Sequence, residues 1–347
     1  MRRTLDGYPR GGLAQRVVNP SGRTGLGGAQ FLNPKGTVVD AGLSGADGAY
    51  ASLRRTLVAA RLLDRAYGYY AWRTAVSLVI LLVGLVGAVT APPAALFAMA
   101  FMIAFGSVQV GLIGHDAGHL AVFSSRRANA ALGAACWSLA LGISFRYWND
   151  RHNRHHACTN DPTKDPDLQW SFGPILTPLL AFTFRLEGWR FAIRELRGHK
   201  RLSELGLMAI STIAWLLPTA SLGWRWVGVF VVSQVLAGVY LALVVAPNHI
   251  GMPSWSGETA PPFFRRQLLS SRNIAPNPIC DFVFGGLNYQ IEHHLFPSMP
   301  RRHFGLARGL IKPFCAEHGL QYTESGVLAA YRALFAELPH VRHLDVA

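Results

Sequence analysis

The sequence predicts an all-α integral membrane protein with four transmembrane helices in two hairpins beneath a cytosolic, histidine-rich cap. Three observations predict it. Apolar runs at 74–89, 94–113, 205–220 and 227–246 each approach the roughly 20 residues needed to cross a bilayer. The turns 90–93 and 221–226 are too short to hold a domain, so the runs pair as hairpins. Three histidine clusters fall outside these runs and on one predicted side of the bilayer.

Composition agrees. Half of the 347 residues are hydrophobic, only 15% are charged, and mean hydropathy is +0.23. The net charge of +14 suits nucleic acid or an anionic lipid surface and acidic proteins. No run interleaves aromatic and basic residues as a nucleic-acid module would, so the second reading stands and no nucleic-acid partner is expected. Cys136, Cys158, Cys280 and Cys315 form no C-x-x-C, which argues against a disulfide framework or a resident iron–sulfur cluster. The arginines near the N-terminus lack an adjoining apolar core, so no signal peptide is expected.

Residues 1–50, rich in Gly, Ser, Arg and Ala, read as a flexible arm. A basic amphipathic segment follows at 52–73, suited either to a membrane surface or to the protein's own body. The short apolar run 130–143 is expected to be interfacial, because a full crossing would separate the first two histidine clusters across the bilayer. Residues 51–310 form the membrane domain and 311–347 a C-terminal cytosolic helical tail. Arginines at 54, 55, 61, 73, 190–201 and 301–302 lie on the histidine side, which the positive-inside rule assigns to the cytoplasm. Arg225 is the exception.

Seven of the thirteen histidines lie in three boxes. His115 and His119 are four residues apart, on one helical face. His152 precedes the adjacent His155 and His156 by three and four residues. Gln290, His293 and His294 repeat that spacing, and His249, preceded by Asn248, stands at the end of the fourth apolar run. Eight imidazoles suit two metals better than one, although imidazole alone does not choose among zinc, copper, nickel and iron. A membrane body and an imidazole-dominated donor set point toward oxygen chemistry on hydrocarbon, which iron performs and zinc does not. Asp116, Asp150, Asp161, Asp165 and Glu292 lie close to the boxes and are candidates to orient ligand rings through their outer N–H groups, Asp116, Asp161 and Glu292 first among them. Trp148, Trp170 and Phe296 are candidate walls of a hydrocarbon channel.

These motifs, H-D-A-G-H at 115–119, H-N-R-H-H at 152–156 and Q-I-E-H-H at 290–294, resemble those of the membrane fatty-acid desaturase family. The longer string 285–297 resembles its front-end, linoleoyl-CoA-desaturase-like branch. The resemblance covers roughly 70–310 and implies four transmembrane helices under a cytosolic cap, with two non-haem irons and O2 as co-substrate. It implies the ligands His115, His119, His152, His155, His156, His249, His293 and His294. Gln290 stands where some relatives use histidine, and Asn248 resembles a water-linked contact near the irons. The implied reaction takes one hydrogen from each of two neighbouring methylenes of a long acyl chain, on coenzyme A or a membrane lipid. It leaves a cis double bond and reduces O2 to water.

No His-Pro-Gly-Gly motif of a fused cytochrome b5 occurs, so a separate ferredoxin or cytochrome b5-like donor with its reductase is expected, and no bound haem or flavin. The expected location is the cell inner membrane, with the boxes facing the cytoplasm. Two rivals use the same residues: a di-iron lipid or carotenoid hydroxylase or ketolase, and a non-enzymatic membrane metal-binding protein or sensor. The second predicts polar residues within the spans, where the sequence places few.

Overall fold

The computed structural model describes residues 30–32, 38–40, 46–168 and 174–341. Two compact units divide the chain at Gly45. In the first, β1 (Gln30–Leu32) pairs antiparallel with β2 (Val38–Asp40), Phe31 facing Val39. Of the arm expected over 1–50, residues 46–50 instead open the first helix, and the rest, apart from these two strands, lies outside the described residues.

The second unit is α-helical and opens with α1 (Ala46–Ala59), followed by α2 (Tyr67–Thr90) and α3 (Leu96–Gly118). Next come α4 (Arg126–Ala134), a π-helical turn (Ala135–Ala140) and α5 (Phe145–Ala157). Then follow α6 (Leu180–Arg194), α7 (Gly198–Leu216), α8 (Thr219–Leu222) and α9 (Trp224–Val245). The remainder is α10 (Phe263–Leu269), β3 (Asn273–Ile274), α11 (Pro278–Val283), α12 (Gln290–Leu295), α13 (Phe304–Glu317), β4 (Glu324–Ser325) and α14 (Val327–Val341). β3 and β4 form a short parallel pair.

Four segments are long and apolar enough to span a membrane: Tyr67–Thr90, Pro93–Gly118, Gly198–Leu222 and Trp224–Asn248. Each contains one of the apolar runs seen in the sequence. Their outward faces carry large exposed apolar side chains, among them Leu82, Val86, Phe97, Phe101, Ile210 and Leu216. Such a band suits lipid rather than water.

α2 and α3 pack closely through small residues. A β-carbon at Gly84 would lie 2.8 Å from the Ile103 amide nitrogen, and one at Gly106 would lie 2.8 Å from that of Leu81. Gly106→Val is therefore expected to destabilise the fold by about 1–3 kcal/mol through overpacking, seen as a lower melting temperature in detergent with the helical content of the folded protein unchanged. α7 and α9 meet near the end where α8 joins them, with Trp215 5.3 Å from Trp226. Arg225, the basic residue on the opposite side in the sequence reading, donates to the Ala88, Val89 and Ala91 carbonyls and closes the end of α2.

The run 130–143 becomes the end of α4 and the π-helical turn, after which the chain bends by 113° into α5. Gly142, at φ +67°, sits in the bend, a conformation that disfavours a β-carbon. Ser138 Oγ accepts from the Phe145 amide and Ser144 caps α5 by accepting from the Tyr147 amide. The bend brings the second histidine box to the end of α3 that carries the first. The 52–73 segment resolves toward the protein's own body: Leu53, Leu57 and Leu62 are buried with Phe264, Leu268, Ile291, Leu295 and Phe304. That cluster supports α12 and the third box.

Candidate metal centre

The three boxes and His249 converge. His115 and His119 come from the end of α3, His152, His155 and His156 from α5, His249 from the turn after α9, and His293 and His294 from α12. Their ring nitrogens fall into two sets. In one, those of His115, His119, His152 and His293 all lie within 4.8 Å of one another. In the other, those of His155, His249 and His294 do the same, and His156 joins His293 and His294 between the two. His156 Nε2 stands 3.1 Å from both His152 Nε2 and His293 Nε2.

Burial is near complete: His115, His155, His156, His249, His293 and His294 are each less than a tenth exposed. Burial, reinforced by neighbouring imidazoles, holds His119, His152, His156, His293 and His294 well below the ordinary histidine range. Burial also brings His249 down to about 3. These rings are therefore neutral near pH 7, the form that binds a metal. His155 is shifted the other way: burial lowers it, but the Asp165 and Asp167 carboxylates together raise it.

The outer nitrogens are occupied, which turns the inner ones toward the centre. His115 Nδ1 meets Asp116 Oδ1 at 3.0 Å, His155 Nδ1 meets Asp165 Oδ2 at 2.9 Å, and His249 Nδ1 meets the Ser270 carbonyl at 2.9 Å. His294 Nδ1 lies 2.8 Å from Gln267 Oε1, and Gln267 also accepts from Thr159 Oγ1. Among the described residues, His119 Nε2 and His294 Nε2 are buried without a hydrogen-bond partner. A buried nitrogen without a partner is costly in a protein and natural for a metal ligand. The residues fit two metal ions of imidazole preference, and iron is one of them. Asp165→Asn is expected to weaken metal retention about 10–100-fold, read by a competition titration with a chelator.

Of the acids expected to orient rings, Asp116 lies against His115. Asp161 does not touch a ring: it accepts from the Thr163 amide and hydroxyl and shapes the loop after α5. Glu292 also faces away, accepting from Asn273 and Tyr322. A helix sends neighbouring side chains in different directions, so Glu292 leaves the centre where His293 enters it. Burial, partly offset by those two donors, raises Glu292 to about 6. Asp165, another of the acids near the boxes, orients His155, while Gln267 and the Ser270 carbonyl, which the sequence did not single out, meet His294 and His249.

Gln290 sits at the second set, its amide 2.8 Å from His249 Nε2. Asn248 donates to the Val244 and Leu287 carbonyls and lies 3.4 Å from Gln290 Oε1, with its own Oδ1 buried and unpartnered. Of the remaining histidines, His303 meets the Leu62 carbonyl and His318 that of Phe314, both away from the centre.

A cavity of about 480 Å³ opens beside the histidines. Its walls are mostly apolar, including Leu112, Trp137, Leu141, Leu180, Phe184 and Leu241, and His115, His152, His155 and His249 also face it. Trp148 is part of the wall, stacked between Trp137 at 4.6 Å and His152 at 4.7 Å. Phe296 lies elsewhere, stacked on Tyr50 in the core beneath α12. Trp170 lies outside the described residues.

Residues 90–326 match the family model described as fatty acid desaturase. The chain is 30% identical to an acyl-lipid (9-3)-desaturase of Physcomitrium patens over 67% of its own length and 51% of that protein's. It is 27% identical to a delta(6)-fatty-acid desaturase of Caenorhabditis elegans over 70% and 64%, respectively. It is 31% identical to a delta(8)-fatty-acid desaturase of Euglena gracilis over 66% and 65%. The chain thus spans between about half and two thirds of the length of these relatives.

Proposed function

The chain belongs to the fatty acid desaturase family, and from that premise we propose that it is an O2-dependent acyl desaturase placing a cis double bond in a long acyl chain. The observation that carries this reading is the meeting of two imidazole sets, joined through His156 and His293, with an apolar cavity of about 480 Å³. The ligands are His115, His119, His152 and His293 on one side and His155, His249 and His294 on the other, with His156 between. Two non-haem irons bound there supply the one-electron and O2 chemistry.

The chain's own contribution is placement. Methylenes are chemically alike, so the walls must hold two of them beside the centre, and position carries the selectivity. Leu112, Trp137, Leu141 and Phe184 exclude water from the chain. Trp148, fixed by Trp137 and His152, sets how close the chain approaches. The cavity volume falls within the range of small-ligand sites.

The four spans pair as two hairpins, with the histidines in a cap on the cytoplasmic side of the cell inner membrane. The tight α2–α3 packing and the basic residues on the histidine side support that orientation. The acyl group is carried on coenzyme A or a membrane lipid. Electrons come from a ferredoxin or cytochrome b5-like protein and its reductase, and the basic stretch Arg190, Arg194, Arg197, Lys200 and Arg201 suits an acidic donor.

Expression with a competent donor, alongside a His155→Ala control, tests the reading through mass spectrometry of cellular lipids with double-bond localisation. A new alkene absent from the control is the expected result. A hydroxylated or ketonic lipid in its place would assign the centre to an oxygenase. An unchanged lipid profile in iron-loaded, donor-supplied cells would remove the enzymatic reading.

A further inference from the structure

Among the described residues that line the cavity, three are exposed: Leu243, Phe335 and Asp167. A side chain that both lines a cavity and reaches the surface marks its mouth. Leu243 lies on α9, inside the span Trp224–Asn248, and is 37% exposed. Phe335 lies on α14 and is 59% exposed. The Tyr331 hydroxyl ties the two helices together by donating to the Leu243 carbonyl at 2.7 Å. Further along α14, Glu337 approaches the turn after α9, where a β-carbon at Gly251 would stand 3.3 Å from Glu337 Cγ. α14 therefore lies against the histidine-side end of α9.

The mouth lies at membrane depth. His249 directly follows the span, and Leu243 precedes it by six positions. That places Leu243 about 10 Å from His249 along the helix and its terminal turn, at 1.5–2.0 Å per residue. The distance is short of the roughly 15 Å to the bilayer midplane. The exposed face of α14 continues this lipid-facing surface. Leu328 is 73% exposed and stands seven positions, two turns, before Phe335. Tyr331 stacks on Phe335 with ring centres 6.5 Å apart, and the exposed Arg332 follows Leu328 by four positions on the same face. Aromatic rings with an arginine suit the bilayer interface, where the long cationic side chain reaches the headgroups.

We propose that the gap between Leu243 of α9 and Phe335 of α14 is a side entrance from the histidine-side leaflet, and that the substrate is an acyl chain still esterified in a membrane glycerolipid. The inference rests on the acyl-desaturase reading of this cavity. A chain drawn sideways through the gap keeps its ester at the membrane surface while its methylenes pass inward. They move from lipid to an apolar cavity without exposure to water, which would oppose the transfer in proportion to the apolar area exposed. The ion pair of Arg151 with the exposed Asp167, 3.0 Å apart, gives the lining a polar part for the headgroup. A polyanionic coenzyme A carrier finds no such fit at a mouth whose exposed residues are two apolar side chains and an aspartate.

The test uses the full chain in phosphatidylglycerol nanodiscs. One probe is phosphatidylglycerol with a diazirine at carbon 10 of an acyl chain, and the other is the coenzyme A thioester of the same chain. After illumination, mass spectrometry reads the label on Leu112, Leu180 and Leu241 of the cavity wall. Label on the exposed Leu82 and Phe101 reports surrounding lipid and is the internal standard. The lipid probe is expected to label the cavity at least about fivefold more than the thioester does. Leu243→Trp, which fills the gap, is expected to cut cavity labelling by the lipid at least about fivefold and to leave the outer label unchanged. Phe335→Asp, which puts a charge in the gap, should act in the same direction. Leu243→Ala, which widens the gap, should keep or raise the label, as a merely structural role for Leu243 would not.

Equal cavity labelling by the lipid in wild type and Leu243→Trp overturns the entrance, and if that variant does not fold, equal labelling in Phe335→Asp does so. Stronger cavity labelling by the thioester than by the lipid overturns the choice of substrate. Lipid in the cavity that Leu243→Trp excludes, without alkene product from iron-loaded, donor-supplied protein, leaves the entrance standing and removes the desaturase reading. Alkene formed equally by wild type and Leu243→Trp from the thioester, with no lipid label in the cavity, does the reverse.

Discussion

Replacing His293 with alanine is expected to lower bound iron to below one ion per chain and product formation by at least ~100-fold, beyond the range seen when only the partner of a ligand is lost. The reason is its place where the two imidazole sets meet. It stands with His115, His119 and His152 in the first set and with His156 and His294 in the group that bridges to the second. Its Nε2 is 3.1 Å from that of His156, and its ring centre is 4.7 Å from that of His115. Every other histidine at the centre except His294 belongs to a single imidazole group. Metal analysis of the purified variant, beside lipid product analysis, checks the result. The fold should survive, because the neutral ring is held by neighbouring histidines and Phe304 rather than by a salt bridge. Two irons per chain and wild-type product in a folded His293→Ala protein would show that the centre lies elsewhere.

The converging histidines were legible because helical spacing is a short-range code. His115 and His119, or His155 and His156, can be placed from their own sequence neighbourhoods. His249 was legible through its position at the end of an apolar run, which the fold turns into the wall of the centre. The groups that aim the rings were harder to read. Asp165 was one of several acids near the boxes, which residue type alone does not rank, and Gln267 lies 27 residues from His294. The Ser270 carbonyl is main chain, which residue type does not reveal.

Adjacency misled at Asp161 and Glu292, because both acids meet other donors, Thr163 for Asp161 and the distant Asn273 and Tyr322 for Glu292. The spans were readable as apolar runs, but a run does not disclose the polar residues packed inside it. Gln109 is such a case: it is buried on α3, accepting from Arg73 and donating to Tyr240. The 113° bend itself has only Gly142 and the flanking serines as a sequence signal.

Replacing Arg301 with methionine is expected to destabilise the protein by about 3–5 kcal/mol, the usual result of leaving one member of a buried ion pair without its partner. Arg301 is 5% exposed and Asp116 6%. Arg301 Nε donates to Asp116 Oδ2, and the rest of the guanidinium reaches the Gly285 and Leu112 carbonyls. Asp116 also accepts from Tyr70, 2.7 Å away, and holds His115 Nδ1. One side chain thus joins α2, α3, the turn before α12 and the first histidine box. The melting temperature in detergent and the iron content should fall together in Arg301→Met.

Arg301→Lys should recover only part of the loss, because an ammonium replaces the charge but not the planar fork that serves Asp116 and both carbonyls. The informative comparison is the double variant Asp116→Asn with Arg301→Met. If the penalty comes from an uncompensated buried carboxylate, removing that charge restores part of the stability even though a further native residue has been lost. His115 would then keep a hydrogen-bond acceptor but not a charged one, so iron retention should recover less than the melting temperature does. Melting of Arg301→Met within error of wild type would mean that water or another cation reaches Asp116, and the ion pair would no longer account for the rigidity of the first box.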